Sequence, residues 1–201
     1  KLLLEQDKIY SAGGNSYSRS HPLNINRLLH VKEHLRKSPF SQSKTTEMLN
    51  SMHRRMRGKL KGFINSPEQT LREYVPRNRD VGARYARAIA LSKLQETDAA
   101  IAIIEELIAE SPKDPFFHEL KGELLVDGGR MQEAIGPFKK ALAILPWAAL
   151  IKVSLAQIQL ANNNMTDLEI ARDNLKDALR YEPKLTGAWR LLATAEGRLG
   201  N

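Results

Sequence analysis

The sequence predicts an all-α fold in which pairs of antiparallel helices repeat along the chain. The first observation is the spacing of three prolines, Pro112, Pro146 and Pro183, which lie 34 and 37 residues apart. Proline interrupts an α-helix, so each one is expected to end a helix. The second observation is a set of small and bulky residues that recur with the same spacing. Small residues recur in the first helix of each unit at Ala88, Gly122, Ala156 and Ala193. In the second helices the recurring small residues are Ala100, Ala134 and Ala171, and one turn after them come the bulky residues Ile104, Phe138 and Leu175.

Residues 115–148 show this pattern most completely. Small side chains at Gly122 and Ala134 let two antiparallel helices approach closely, and Phe138 fills the space beside them. The spacing resembles that of the tetratricopeptide repeat, a helix-turn-helix unit of about 34 residues. One such unit cannot bury its apolar face alone, so neighbouring units are expected to stack on it.

We therefore predict a solenoid of about three and a half tetratricopeptide repeats. The predicted repeats are residues 81–114, 115–148, 149–185 and a partial unit at 186–201. Three extra residues in the third repeat are expected to lengthen its polar turn, near Asn162 to Met165. The last unit starts with Trp189 and lacks a partner helix, which predicts fraying, further chain or self-association.

The first 80 residues differ from the repeats in charge. They carry 16 Lys and Arg against 7 Asp and Glu, whereas residues 81–201 carry 15 against 16. We predict a basic helical segment at 1–80, with helices at Asn24 to Lys37 and Thr45 to Phe63 and a third beginning after the N-cap Ser66. The second of these helices aligns Met48, Leu49, Met52, Met56, Leu60 and Phe63 along one stripe.

Composition narrows the possible functions. The chain has no cysteine, which excludes disulfides and thiolate metal sites. Its apolar runs are far shorter than the about 20 residues of a membrane helix, and its first residues lack the apolar core of a signal peptide. Because it starts without Met and stops within a helical pattern, we interpret it as a piece of a longer protein.

Two motifs resemble zinc-binding helices. His30, Glu33 and His34 form an H-x-x-E-H pattern with both imidazoles on one helical face, but a zinc site also needs a third ligand and a cleft. His118 and Glu119 begin an H-E-x-x-H pattern in which Gly122 replaces the second histidine. We predict no functional metal site at either motif, while adventitious metal binding by His30 and His34 stays open.

A larger set of motifs carries a second resemblance. It comprises Ser20-His21-Pro22, Arg27 six residues after the histidine, Ser38-Pro39-Phe40-Ser41, the segment Arg55 to Phe63, and the downstream repeats. Together they resemble the C-terminal portion of the BepA and HtpX type of bacterial zinc metallopeptidase, a Ste24-like family.

This resemblance implies a parent enzyme in the bacterial envelope or periplasm that acts in protein quality control. In that family zinc is held by an H-E-x-x-H helix and a glutamate upstream of the Ser-His-Pro segment, so this chain alone is expected to be inactive and to bind no cofactor. The histidine matching His21 would lie near the active site, and the arginine matching Arg27 would help to organise that loop. From the residues alone, the favoured interpretation is that His21 and Pro22 only cap the following helix.

The repeats are expected to bind protein on their concave face. The first helix of each pair lines that face, which by repeat register includes Tyr85, Ile89, Phe116, Glu119, Glu123, Leu150, Val153 and Gln157. This mixed apolar and acidic set lacks the Lys and Asn pair that captures C-terminal carboxylates in other tetratricopeptide proteins. It suits a segment with apolar anchors, from a substrate, a partner or the parent's own protease domain; some of these side chains could instead pack between repeats.

Two alternatives remain at the level of sequence. The chain could be a free-standing repeat adaptor without enzymatic activity. The basic helix from Met52 to Lys61 could contact nucleic acid or an anionic membrane, although it has no aromatic stacking residues, and we favour its packing on an acidic surface of a protease domain.

Overall fold

The computed structural model describes residues 24–162 and 164–200. Within these ranges the regular structure is entirely α-helical. The helices are α1 (Asn24–Lys37), α2 (Glu47–Ile64), α3 (Pro67–Glu73), α4 (Val81–Lys93), α5 (Thr97–Glu110), α6 (Pro115–Asp127), α7 (Met131–Ile144), α8 (Ala149–Asn162), α9 (Met165–Tyr181) and α10 (Thr186–Leu199). None of these described helices is long and apolar enough to cross a membrane.

The helix pairs α4–α5, α6–α7 and α8–α9 form the three predicted repeats, and α10 begins the fourth. The recurring Ala100, Ala134 and Ala171 are fully buried, as are the bulky residues one turn after them. A Cβ added at Gly122 would lie 2.7 Å from Cζ of Phe138, so this glycine allows the close contact that the sequence predicted. Each second helix ends just before Pro112, Pro146 or Pro183. The predicted repeat architecture is confirmed.

The three extra residues of the third repeat extend a helix, whereas we had expected a longer turn. Helix α9 has 17 residues against 14 in α7, and it begins three positions earlier relative to its buried alanine. The Asn164 side chain accepts a hydrogen bond from the backbone N–H of Asp167 at 2.9 Å. The Asp167 carboxylate in turn accepts from the side-chain amides of Asn162 and Asn164, at 2.7 Å each. These caps stabilise an earlier helix start.

In the described residues the fourth repeat unit consists of the single helix α10. Ala188, Leu192 and Ala195 of α10 are buried against the third repeat. Ala193, the counterpart of the buried Ala88 and Ala156, is exposed. In the second repeat this position is Gly122, which meets Phe138 of the second helix of its own pair.

Helix α1 belongs to a separate unit, since the chain divides between Glu47 and Met48. It confirms the predicted helix and places His30 and His34 one turn apart on its exposed surface. Glu33 forms ion pairs with Arg36 at 2.8 Å and Lys37 at 3.1 Å.

The unit that contains the repeats begins at Met48, whereas the charge difference had placed the boundary between residues 80 and 81. Helix α3 starts as predicted, with Ser66 accepting a hydrogen bond from the backbone N–H of Gln69 at 3.2 Å. The two divisions differ because α2 packs with the repeats, where its Arg55 pairs with Asp114.

Candidate functional site

The inner face of the first repeat is already occupied by a segment of the chain itself. Helix α2 crosses α4 at Gly58, where an added Cβ would overlap with the backbone carbonyl of Gly82. One turn later, an added Cβ at Gly62 would lie 3.0 Å from Cβ of Ile89. Two glycines four residues apart therefore form the face of α2 that contacts the repeats. The missing side chains let the two backbones approach closely.

Two consecutive arginines of α2 attach it to two successive repeats. Asp80 caps the N-terminus of α4 by accepting from the backbone N–H of Gly82, and it accepts Nε of Arg54 at 2.9 Å. Asp114 caps α6 in the same way, through the backbone N–H of Phe116, and forms a two-pronged ion pair with Arg55. The two aspartates are one repeat period apart. Each of the two repeats therefore provides the aspartate that caps its first helix as the partner of one arginine of α2.

Arg55 is also enclosed by aromatic rings. Its guanidinium carbon lies 4.5 Å from the ring centroid of Phe117, 5.3 Å from that of Phe116 and 5.6 Å from that of Tyr85. A planar guanidinium favours both ring stacking and two-pronged carboxylate binding. Arg55 is thus the main polar anchor of α2.

These contacts correct our interpretation of the basic helix. The sequence favoured an acidic surface of a protease domain as the partner of its cations, yet Arg54, Arg55 and Lys61 pair with Asp80, Asp114 and Glu73 of the same chain. They also weaken the nucleic-acid alternative, because Arg54 and Arg55 of this helix are engaged within the fold.

The methionine stripe of α2 is exposed. An amphipathic helix usually buries its apolar stripe, but α2 packs through its glycines and its arginines. Met56, for example, retains 65% of its accessible surface. The large apolar side chains left exposed on this helix are Met48, Leu49, Met52, Met56, Leu60, Phe63 and Ile64.

The predicted groove residues differ in how far they are exposed. Tyr85 and Ile89 are buried, and α2 contacts both. Val153 is partly buried against the core of the third repeat. Phe116, Leu150 and Gln157 are exposed on the inner helices α6 and α8, and Glu119 and Glu123 lie half-buried on α6. An open inner face therefore begins at α6.

Three open cavities lie along this face, between neighbouring helices. One of about 170 Å³ lies between α2 and α6, lined by Met52, Met56 and Phe116 among others. A second of about 310 Å³ separates α4 from α6, and a third of about 300 Å³ separates α6 from α8. Glu123 and Asp127 line both of the larger cavities. Asp127 was absent from the sequence prediction, although its position one turn after Glu123 could have indicated it.

Carboxylates on this face are poorly solvated. In the part of the chain that the structure describes, the buried Oε2 of Glu119 has no hydrogen-bond partner. Burial raises the pKa of Glu119, and the nearby cations Lys59 and Arg55 only partly oppose this. Burial also raises the pKa of Glu123 to about 7, with Glu119 adding to the effect.

We expect the contribution of Glu123 to the free energy of unfolding to fall by about 2 kcal/mol when the pH rises from about 5 to about 8. The folded-state pKa of Glu123, about 7, lies above its ordinary value of 4.5. Below pH 4.5 Glu123 is protonated in both the folded and the unfolded protein, and its stabilising contribution is complete. Between pH 4.5 and about 7 only the folded protein holds this proton, so the free energy of unfolding decreases as the pH rises through 7.

Chemical denaturation across this pH range tests the assignment. The charged groups that face Glu123 are Glu119 and Asp127, which raise its pKa, and Lys59, which lowers it. The variant Glu123→Gln removes the carboxyl itself and should therefore flatten the dependence of the free energy of unfolding on pH. Glu169→Gln, on the exposed surface of α9, is the matched control and should keep the original slope. Equal slopes in the two variants would contradict the assignment.

Neither zinc-like motif gathers three potential metal ligands in the described ranges. Among residues 24–162 and 164–200, no three His, Asp or Glu side chains come together as metal ligands would. His118 is buried, and its Nε2 lies 2.9 Å from the carbonyl oxygen of Pro112, where it connects α6 to the preceding turn. The Glu33 carboxylate of the other motif pairs with cations of α1.

The metallopeptidase resemblance assigns roles to His21 and Arg27. Arg27 lies on the exposed surface of α1, near His30. His21 lies outside the described residues. Their proposed roles remain predictions.

Comparisons with known proteins agree with this architecture. The family model described as tetratricopeptide repeat matches residues 85–149. A comparison with curated protein sequences finds no match. Among solved structures, TTC0263, a thermophilic TPR protein in Thermus thermophilus, is similar at 19% identity and a TM-score of 0.55, covering 87% of this chain and 96% of its own. MamA from AMB-1 is similar at 18% identity and a TM-score of 0.56, covering 77% and 85%.

The chain thus has an all-α tetratricopeptide-repeat fold. Repeats of this kind generally bind protein partners.

Proposed function

We propose that this chain is a protein-interaction region whose inner repeat face binds a segment of another protein. The observation that supports this proposal most directly is the open inner face from α6 onward. There Phe116 and Leu150 retain 44% and 63% of their accessible surface beside half-buried carboxylates. Exposed apolar side chains next to desolvated polar groups are typical of a binding surface.

We further propose that the region belongs to the C-terminal part of a zinc-dependent metalloendopeptidase of the bacterial envelope. The support is the sequence resemblance alone, from Ser20-His21-Pro22 and Arg27 through Ser38-Pro39-Phe40-Ser41 to the repeats. The zinc ligands of such an enzyme would have to lie elsewhere in the parent protein, since the described residues provide none. The repeats would present substrate or partner proteins to the protease domain, or regulate it.

A free-standing adaptor fits the same fold and the same comparisons equally well. The reading frame of the parent gene distinguishes the two. The metallopeptidase proposal expects an H-E-x-x-H motif within a few hundred residues upstream and a signal sequence before it. An upstream frame without that motif would refute the enzyme proposal and leave the adaptor.

Site-specific photo-cross-linking tests the binding face separately. A photoreactive residue at Gln157, exposed on the inner helix α8, should form a specific adduct with a partner protein in the native host. The same residue at Lys140, exposed on the outer helix α7, is the control and should not form that adduct. Equal adducts at both positions would refute the assignment of the inner face.

A further inference from the structure

The open face has an apolar wall supplied by α2. Met52 and Met56 line the cavity opposite Phe116 of α6. Leu150 occupies on α8 the register position that Phe116 occupies on α6, and both side chains are exposed. Methionine adapts to varied partner shapes, and a patch of exposed apolar side chains favours docking of a second apolar surface.

The same face carries a row of acids on α6. Glu119, Glu123 and Asp127 follow one another at intervals of four residues, so they lie along one side of this helix. The cavity between α6 and α8 has no Lys or Arg among its described lining residues. Lys59 and Arg55 offset part of the negative charge, but Arg55 is committed to Asp114. Lys93 lines the cavity between α4 and α6 beside two of these acids, but its ammonium donates to the carbonyl oxygens of Phe63 and Asn65. The acids are therefore incompletely neutralised within the described chain.

Helix α2 shows what kind of segment this face accepts. It is a basic helix that packs on α4. Its Arg55 pairs with the carboxylate of Asp114 and lies against aromatic rings of the next repeat. Moving one repeat along the solenoid replaces Tyr85 with Glu119 and Phe116 with Leu150. The same step replaces Asp114 with Ala148, so the next position loses that carboxylate and gains the one of Glu119. It keeps an apolar contact, and the Oε2 of Glu119 has no partner among the described residues.

We propose that a basic amphipathic helix of a partner protein docks beside α2, across α6 and α8. Its apolar side packs on Met52, Met56, Phe116 and Leu150, and its Lys or Arg side chains pair with Glu119, Glu123 and Asp127. This inference rests on the proposed function and specifies the chemistry of the partner. Charge complementarity selects a basic segment over an acidic one.

A designed pair of peptides tests the charge requirement. The first is an 18-residue Leu/Lys peptide patterned as an amphipathic helix, and the second replaces every Lys with Glu. Fluorescence anisotropy of each labelled peptide against residues 1–201 should show saturable binding of the Leu/Lys peptide. We expect at least about tenfold weaker binding of the Leu/Glu peptide, because its charges meet like charges.

Variants of the chain locate the site. The double variant Glu123→Gln with Asp127→Asn should bind the Leu/Lys peptide about tenfold more weakly. The variant Leu150→Ser, which removes an apolar contact, should also weaken binding of this peptide. Glu169→Gln with Asp173→Asn, on the outer helix α9, is the matched charge control and should leave affinity unchanged. Equal losses from both double variants would mean non-specific attraction and would overturn the proposal.

Two further outcomes separate this proposal from its alternatives. If neither peptide binds while the Gln157 cross-link persists, the inner face is a binding site for another chemistry and only the basic-helix inference fails. If sedimentation shows a dimer that Glu123→Gln with Asp127→Asn disperses, the occupant is a second copy of this chain. That result would also overturn the partner proposal.

Discussion

Replacing Phe138 with alanine is expected to lower the free energy of unfolding by about 3 to 5 kcal/mol. The ring is buried between the helices of the second repeat, where it contacts the bare backbone at Gly122. Truncation removes apolar burial and leaves a cavity that the surrounding backbones cannot readily close. Denaturant unfolding followed by circular dichroism gives the total loss.

The matched control is Phe40→Ala, which makes the same chemical change at a ring that is 77% exposed. It should change stability by less than about 0.5 kcal/mol. Stacked repeats unfold partly as separate units, so hydrogen exchange should show the largest loss of protection in α6 and α7. Equal stability losses for Phe138→Ala and Phe40→Ala would contradict the assigned core.

Replacing Gly58 with alanine is expected to displace α2 from the repeats and to lower stability by about 2 to 3 kcal/mol. The new methyl group would overlap with the backbone carbonyl of Gly82, and backbone atoms cannot rotate away as a flexible side chain can. Separation would also break the pairing of Arg55 with Asp114 and expose Tyr85. Limited proteolysis within residues 47–64 should accelerate.

Gly197→Ala is the matched control, since this helical glycine of α10 has open space where a Cβ would be added. Alanine favours helix over glycine by roughly 1 kcal/mol, so this variant should be neutral or slightly stabilising. If Gly58→Ala behaves like Gly197→Ala, then α2 does not dock through its glycines. The effect on α2 would be visible even without global unfolding, because protease sensitivity reports local separation.

The repeat architecture was readable in the sequence because its signals are local and periodic. Gly122, Ala134, Phe138 and Pro146 each perform a task within one helix pair, and the same spacing returns in each neighbour. The expected turn insertion in the third repeat was wrong for an equally local reason. The caps formed by Asn164 and Asp167 allow the helix to start earlier.

The candidate site could be predicted only in part. Repeat register identified Phe116, Glu119, Glu123 and Leu150 on the inner helices, but it could not show that α2 covers Tyr85 and Ile89. A stripe of methionines normally suggests the buried side of a helix. No local pattern indicated that two glycines would make the contact and leave the methionines exposed.

The sequence by itself determined the helices, their pairing and the repeat period, because these depend on residues close together in the chain. Only the tertiary structure decided which part of the inner face remains open. That choice depends on Arg55 meeting Asp114 and on Gly58 meeting Gly82, contacts between residues far apart in sequence. Long-range packing selects among several amphipathic faces, and helical periodicity alone does not distinguish them.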